Sequence, residues 1–169
     1  MFFKKRKMDN SFKKLMIYFS NPKENNIKDK KKILIEIDNV IRSGKYILGS
    51  NVLSLEKKLS KYLNTKFVVS TNSGTDALIC ALLSIGIKKG DEVITTSHTA
   101  TATSTAIQIV GGKPVYVDIC EDDFCLNPSE ILKKITKKTK AIIAVHIYGH
   151  PAKIKEIKKI AKQKKIKLV

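Results

Sequence analysis

Tryptophan is absent from this 169-residue chain, arginine occurs only at Arg6 and Arg42, and acidic residues are outnumbered 15 to 33 by basic ones. No apolar run approaches the ~20 residues that a membrane span needs, so none is expected. The N-terminus, Met1-Phe2-Phe3-Lys4-Lys5-Arg6-Lys7, has charge without an apolar core, which argues against a secretory signal. Only three cysteines occur (Cys80, Cys120 and Cys125), an odd and scattered set that reads as reduced thiols in a cytoplasmic protein rather than a disulfide framework. The three histidines, His98, His146 and His150, lack metal-ligand spacing, and no metal site is expected.

The formal net charge of +18 invites a nucleic-acid reading. A binding stripe would concentrate Lys and Arg on one face and interleave aromatics for bases to stack on. Here the excess is almost all lysine, lying in residues 1–32, at Lys133 to Lys140 and from Lys153 to Lys167, and the last of these runs has no aromatic. Each run reads as a solvated helix face, and nucleic acid is not the expected partner.

What is present is an alternation of helical and strand patterns, the signature of an α/β layered sheet. Residues 1–15 read as a basic N-terminal extension, and residues 16–169 as one domain with no internal repeat. Helical spacing predicts helices over 27–43, with Gly44 as C-cap, and 51–63. The first strand is expected at 66–70. A third helix carries Leu78, Leu82 and Ile85 and stops at Gly86. There follow a strand at 92–95, a small-residue helix ending before Gly111-Gly112, and a strand at 114–118. Asn127-Pro128 opens a helix, 141–145 is a strand apolar on both faces, 152–163 a basic helix and 166–169 a last strand.

Ligands of a parallel α/β sheet bind outside the carboxyl ends of its strands. Three polar segments fall there: Ser73-Gly74-Thr75, Ser97-His98-Thr99 and His146-Ile147-Tyr148-Gly149. The first lies between an expected strand and a helix N-terminus, where free backbone N–H groups and the helix dipole suit a phosphate. Gly74 lets a ligand approach the backbone, and Ser73 and Thr75 add hydroxyls. Simple helix capping is the commoner use of such residues and stands beside the phosphate reading at this point.

Seven segments in order carry a resemblance. They are Ser43-Gly44-Lys45-Tyr46-Ile47-Leu48-Gly49, Ser73 to Leu78, Gly90 to Thr95, Ser97 to Thr103, Gly112 to Asp118, Thr139 to Ile143 and Val145 to Ala152. On these the chain, over residues 17–169, resembles the DegT/DnrJ/StrS family of sugar aminotransferases. The resemblance implies the aspartate-aminotransferase-like, fold-type I large domain, a three-layer α/β/α arrangement with a mostly parallel sheet. It also implies pyridoxal 5'-phosphate (PLP), with Ser73, Gly74 and Thr75 at its phosphate. Many members stack an aromatic on the cofactor ring at the position that is Ala100 here, so His98 is the implied ring neighbour. Tyr46 and Tyr148 fall on the implied substrate side.

The lysine that carries PLP covalently, and the aspartate that partners the pyridine nitrogen, match family positions beyond Val169, as does a small C-terminal domain. No catalytic residue is therefore assigned within these 169 residues, and they are expected to be an inactive, poorly soluble fragment when alone. The whole enzyme would move an amino group, from glutamate by the resemblance, to a keto sugar nucleotide. The Ser-His-Thr-Ala pattern is similar to the branch acting on dTDP-linked 3-keto-6-deoxyhexoses, in cytoplasmic polysaccharide synthesis. Family members are homodimers. A non-catalytic PLP- or sugar-binding regulator is the alternative, and a basic nucleic-acid-binding protein the third.

Overall fold

Successive residues of a strand point to opposite faces, so a strand buried on both sides carries apolar residues at successive positions, or hydroxyls that find a partner, as buried Thr95 does in donating to Ile143 O at 3.4 Å. Val93 and Ile94, and likewise Ala141, Ile142 and Ile143, meet that condition, each being buried. In the computed structural model, which describes residues 20–169, they occupy the centre of a four-stranded parallel sheet. Its strands are β1 (Glu92–Thr96), β2 (Lys113–Val117), β3 (Thr139–Ile142) and β4 (Lys167–Leu168), in the order β2-β1-β3-β4. The ladders run past the strand ends, with Ile143 N–H donating to Ile94 O at 2.8 Å and Val169 N–H to Ile142 O at 2.9 Å.

The described chain divides into two compact units at residues 68/69. The first holds α1 (Pro22–Ser43) and α2 (Ser50–Tyr62). Helix α1 begins five residues before the expected Ile27, because Pro22 occupies the first helical turn, where its missing N–H costs nothing, and Glu24 faces the helix dipole. It ends as expected at Gly44, whose φ of 64° closes the helix by a bond from its N–H to Ile41 O. Gly49 precedes α2 where no side chain fits: a Cβ there would lie 2.7 Å from the Lys45 carbonyl oxygen.

The second unit is the sheet and its helices α3 (Gly74–Ser84), α4 (Thr101–Ile109), α5 (Pro128–Lys134) and α6 (Ile154–Lys164). Two cores separate by face. Val93, Ala141 and Ile143 pack with Leu82, Ala106 and Ile107 of α3 and α4. Ile94, Ile142 and Val117 pack with Ile131, Ile157 and Ile160 of α5 and α6. This is the expected α/β/α layering. Along α6, Ile157, Ile160 and Ala161 are buried while Lys155, Lys158, Lys159 and Lys162 are exposed, so its lysines occupy the outer face.

One expectation fails. Residues 66–70 are not a strand, and the four strands of the sheet all lie between 92 and 168. A β-rich composition describes fitness for a pleated surface, while the strand itself exists only through a neighbour's ladder. Phe67 and Val69 stay about four-fifths exposed. The expected extension at 1–15 lies outside the described residues.

Candidate active site

Strand order places the site. From β1 the chain crosses to β2 on one side, and β3 then returns to the other side of β1. The reversal makes the carboxyl ends of β1 and β3 the topological switch point of the sheet, the place where open α/β sheets form a crevice and bind ligands. Two of the three polar segments emerge there: Ser97-His98-Thr99 from β1 and His146-Ile147-Tyr148-Gly149 from β3.

Local hydrogen bonds shape each turn. After β1, the Thr96 hydroxyl accepts from His98 N–H at 3.2 Å and Thr99 N–H donates to Ser97 O at 3.0 Å, which turns the chain sharply and presents the half-buried imidazole. The hydroxyls of Thr99 and Thr103 meet at 2.9 Å. After β3, His146 Nδ1 accepts from Ala152 N–H at 3.0 Å and so ties down the loop that carries Tyr148. Tyr148 has φ 53° inside a 3-10 turn (Ile147–Gly149) and is 83% exposed. A non-glycine residue held in the left-handed region, with its ring in solvent, is a costly arrangement of the kind found at ligand sites.

His98 and Tyr148 are brought together, edge to face, with ring centroids 5.9 Å apart. A third ring joins them: Phe124, 6.4 Å from His98, also left-handed at φ 56° and half exposed. Sequence reasoning missed Phe124. Its only signal was that aromatics are scarce, 7% of the chain, and this one sits in a run of acidic residues. The three rings form an exposed aromatic wall at the crevice, suited to the face of a planar ring or of a sugar.

Helix α3 starts with an unoccupied donor pair. Ser73 is its N-cap: the Ser73 Oγ accepts from Asp76 N–H at 3.1 Å and donates to the Asp76 carboxylate, and Ala77 N–H donates to Ser73 O. Among the described residues the N–H groups of Gly74 and Thr75 have no protein acceptor, and nothing lies within 4 Å of where a Gly74 Cβ would be. Ser73 thus caps, and the exposed Gly74 and half-buried Thr75 offer two amides and a hydroxyl to an anion, an arrangement that fits a phosphate. No hydrogen bond or ring contact joins this turn to His98 among the described residues. Tyr46 lies in the helical unit, where its hydroxyl donates to Ile41 O at 3.3 Å.

An ion-pair latch joins the two loops that carry Phe124 and Tyr148. Lys153 Nζ lies 3.1 Å from both carboxylate oxygens of Asp122 and 3.8 Å from Asp123, joining the loop before Phe124 to the loop after Tyr148. The ammonium hydrogen bond depresses the Asp122 pKa, and the same pairing raises that of Lys153. A depressed carboxylate contributes its stability above the ordinary Asp range of about 3.9 and loses it as pH falls through the shifted value; a raised lysine contributes below its ordinary range of about 10.4 and loses it above the shifted value. The latch is therefore at full strength across neutral pH. Acidification below the ordinary Asp range is expected to open it, seen by NMR as loss of the Phe124–His98 ring cross-peak while the sheet amides stay protected. Asp122→Asn should show the weakened cross-peak already at pH 7. A cross-peak unchanged in both experiments would rule the latch out.

The DegT/DnrJ/EryC1/StrS aminotransferase family model matches residues 27–169. A 3-oxo-glucose-6-phosphate:glutamate aminotransferase of Bacillus subtilis (strain 168) is 40% identical over 137 residues, covering 81% of this chain and 31% of that protein. A dTDP-3-amino-3,4,6-trideoxy-alpha-D-glucose transaminase of Streptomyces venezuelae is 42% identical over 125 residues, 74% of this chain and 33% of that one. The crystal structure of S. venezuelae DesV in complex with a ketimine intermediate superposes with a TM-score of 0.86 at 36% identity, covering 90% of this chain and 41% of that chain. The chain thus spans about a third of the length of these curated relatives.

Proposed function

The chain belongs to the DegT/DnrJ/EryC1/StrS aminotransferase family, and from that premise we propose that it supplies the phosphate-holding and ring-facing part of a PLP site in a sugar-nucleotide transaminase. The observation that carries the proposal is the pair of acceptor-free N–H groups at Gly74 and Thr75 beneath open space. PLP, when bound, supplies the electron sink through which an amino group is transferred. The residues described here bind and orient it. Gly74 and Thr75 N–H and the Thr75 hydroxyl hold the phosphate, with Ser73 fixing the turn through its bonds to Asp76. His98 faces the ring, and Tyr148 and Phe124 flank His98.

For the whole protein we propose glutamate as amino donor and a dTDP-linked 3-keto-6-deoxyhexose as acceptor, in deoxyaminosugar synthesis. The Ser97-His98-Thr99-Ala100 pattern and the likeness to the dTDP-sugar transaminase support this choice. Tyr46 and Tyr148 are proposed for the sugar side, and a homodimer for the assembly. Among the described residues no helix is long and apolar enough to cross a membrane.

No transaminase activity is proposed for the 169 residues alone. Incubated with PLP, they are expected to bind it with competition by inorganic phosphate. Borohydride reduction should leave no single lysine labelled in stoichiometric amount. Stoichiometric labelling of one lysine together with amino transfer from glutamate would defeat the fragment reading, and PLP binding indifferent to phosphate would defeat the cradle.

A further inference from the structure

Two of the cysteines are neighbours across a hairpin. Ile119 and Leu126 form an antiparallel bridge, flanked by bonds from Asn127 N–H to Asp118 O at 3.0 Å and from Cys120 N–H to Cys125 O at 2.9 Å. The loop between is Glu121-Asp122-Asp123-Phe124, closed by Phe124 N–H donating to Cys120 O at 2.9 Å. Cys120 and Cys125 are thus the directly opposed pair at the base of the loop that carries Phe124. Opposed residues of an antiparallel pair share a face, with Cα atoms about 4.5–5.5 Å apart, and a disulfide spans about 4.4–6.8 Å between Cα atoms. Only one of the two ladder bonds ties this pair, because Cys125 N–H donates to Asp123 Oδ1 at 2.8 Å. Their contacts agree that both thiols point one way. Cys125 Sγ donates to His150 O at 3.6 Å, and Cys120 Sγ lies within 4.8 Å of the Asp122 and Asp123 carboxylates that pair with Lys153, so both thiols face the loop after β3. Cys80, by contrast, is exposed on α3.

We propose that Cys120 and Cys125 form a dithiol that a low-molecular-weight disulfide oxidises reversibly to an intramolecular disulfide. Burial pushes the Cys120 thiol up, so the step runs through a minor thiolate fraction that grows with pH. That thiolate, the less deeply buried of the two at 8% exposure against 1%, attacks one sulfur of the oxidant and expels the first small thiol. The Cys125 thiolate then attacks Cys120 Sγ and expels the second. The protein gives up two electrons and two protons, and the oxidant becomes two thiols. The bridge draws Cys125 Sγ away from His150 O, at the root of the hairpin that holds Phe124 against His98, so the aromatic wall is coupled to thiol redox state. This inference stands on the hairpin alone and is independent of the cofactor reading.

The test uses the folded chain with oxidised glutathione, then N-ethylmaleimide, proteolysis and mass spectrometry. The peptide holding both cysteines is expected about 2 Da lighter, from loss of two hydrogens, and closed to maleimide. Dithiothreitol should restore two reactive thiols, while Cys80 carries glutathione or maleimide throughout. In Cys120→Ser and Cys125→Ser the lighter peptide should vanish and the remaining thiol should carry glutathione or maleimide. Glutathione or maleimide on both Cys120 and Cys125 of the native chain, at oxidant levels that modify Cys80, would overturn the proposal. So would a bridge that forms in urea and never in the folded chain.

Discussion

Gly74→Asp is expected to weaken binding of PLP and of inorganic phosphate by at least about tenfold, or about 1.4 kcal/mol, while leaving the sheet unit as stable as before or slightly more so. The two effects separate because they come from one geometry. Nothing in the fold lies within 4 Å of a Cβ at Gly74, so the new side chain displaces no neighbour. An acidic residue in the first turn of a helix is favourable by about 0.3–1 kcal/mol. The same carboxylate takes up the N–H groups that would hold the phosphate and repels the dianion. Gly74→Ala adds a methyl without charge and is the control. Ser73→Ala should behave in the opposite manner: it removes the cap on Asp76 N–H and costs about 0.5–2 kcal/mol of stability. Thermal melts and equilibrium titrations on the three variants separate fold from binding. A Gly74→Asp chain that binds phosphate as the parent does would place the cradle elsewhere.

Ile94→Ala should lower the stability of the sheet unit by about 2–5 kcal/mol, a large part of the 5–15 kcal/mol that holds a typical domain. Ile94 is fully buried in central strand β1, against the α5–α6 face, with Ile142 and Val117 beside it. Strands on both sides and helices on the face leave little room for the cavity to collapse. Ile109→Ala removes the same atoms from a side chain 61% exposed on α4 and should stay within about 0.5 kcal/mol of the parent. Urea unfolding followed by circular dichroism compares the pair, and equal losses at the two positions would contradict the two-core arrangement.

Where a local rule governs, the residues announced the fold. Gly44 ends α1 in the left-handed region, Asn127 caps α5 with Pro128 in its first turn, and β1, β2 and β3 begin within two residues of their expected starts. The double burial of Ala141 to Ile143 was legible as an unbroken apolar run. Features made by distant partners were not legible. The segment Lys66-Phe67-Val68-Val69 has a strand's composition and lacks a strand's ladder. Phe124 meets His98 at the tip of a hairpin whose Asp122 pairs with Lys153, partners far from one another in sequence. His146, read as part of a polar segment at a strand end, spends its Nδ1 on the Ala152 amide. The Ser73-Gly74-Thr75 turn lies between the two cases: its donors were legible, but the use of the Ser73 hydroxyl on Asp76 was not.

The β1–β3 ladder has a consequence for the order of assembly. It pairs Val93 with Ala141 and Ile94 with Ile142, partners nearly fifty residues apart, and the whole β2 excursion lies between them. Contacts that close long loops come late, after the local ones that cost less chain entropy. Helix α4 and strand β2 can dock on β1 while the other flank of β1 is still bare. At that stage His98 already ends its strand but has neither Tyr148 nor Phe124 beside it, and the crevice has one wall. The cleft proposed as the binding site is born when β3 arrives, so a nascent chain emerging from the ribosome holds no such cleft until it has been made past residue 150.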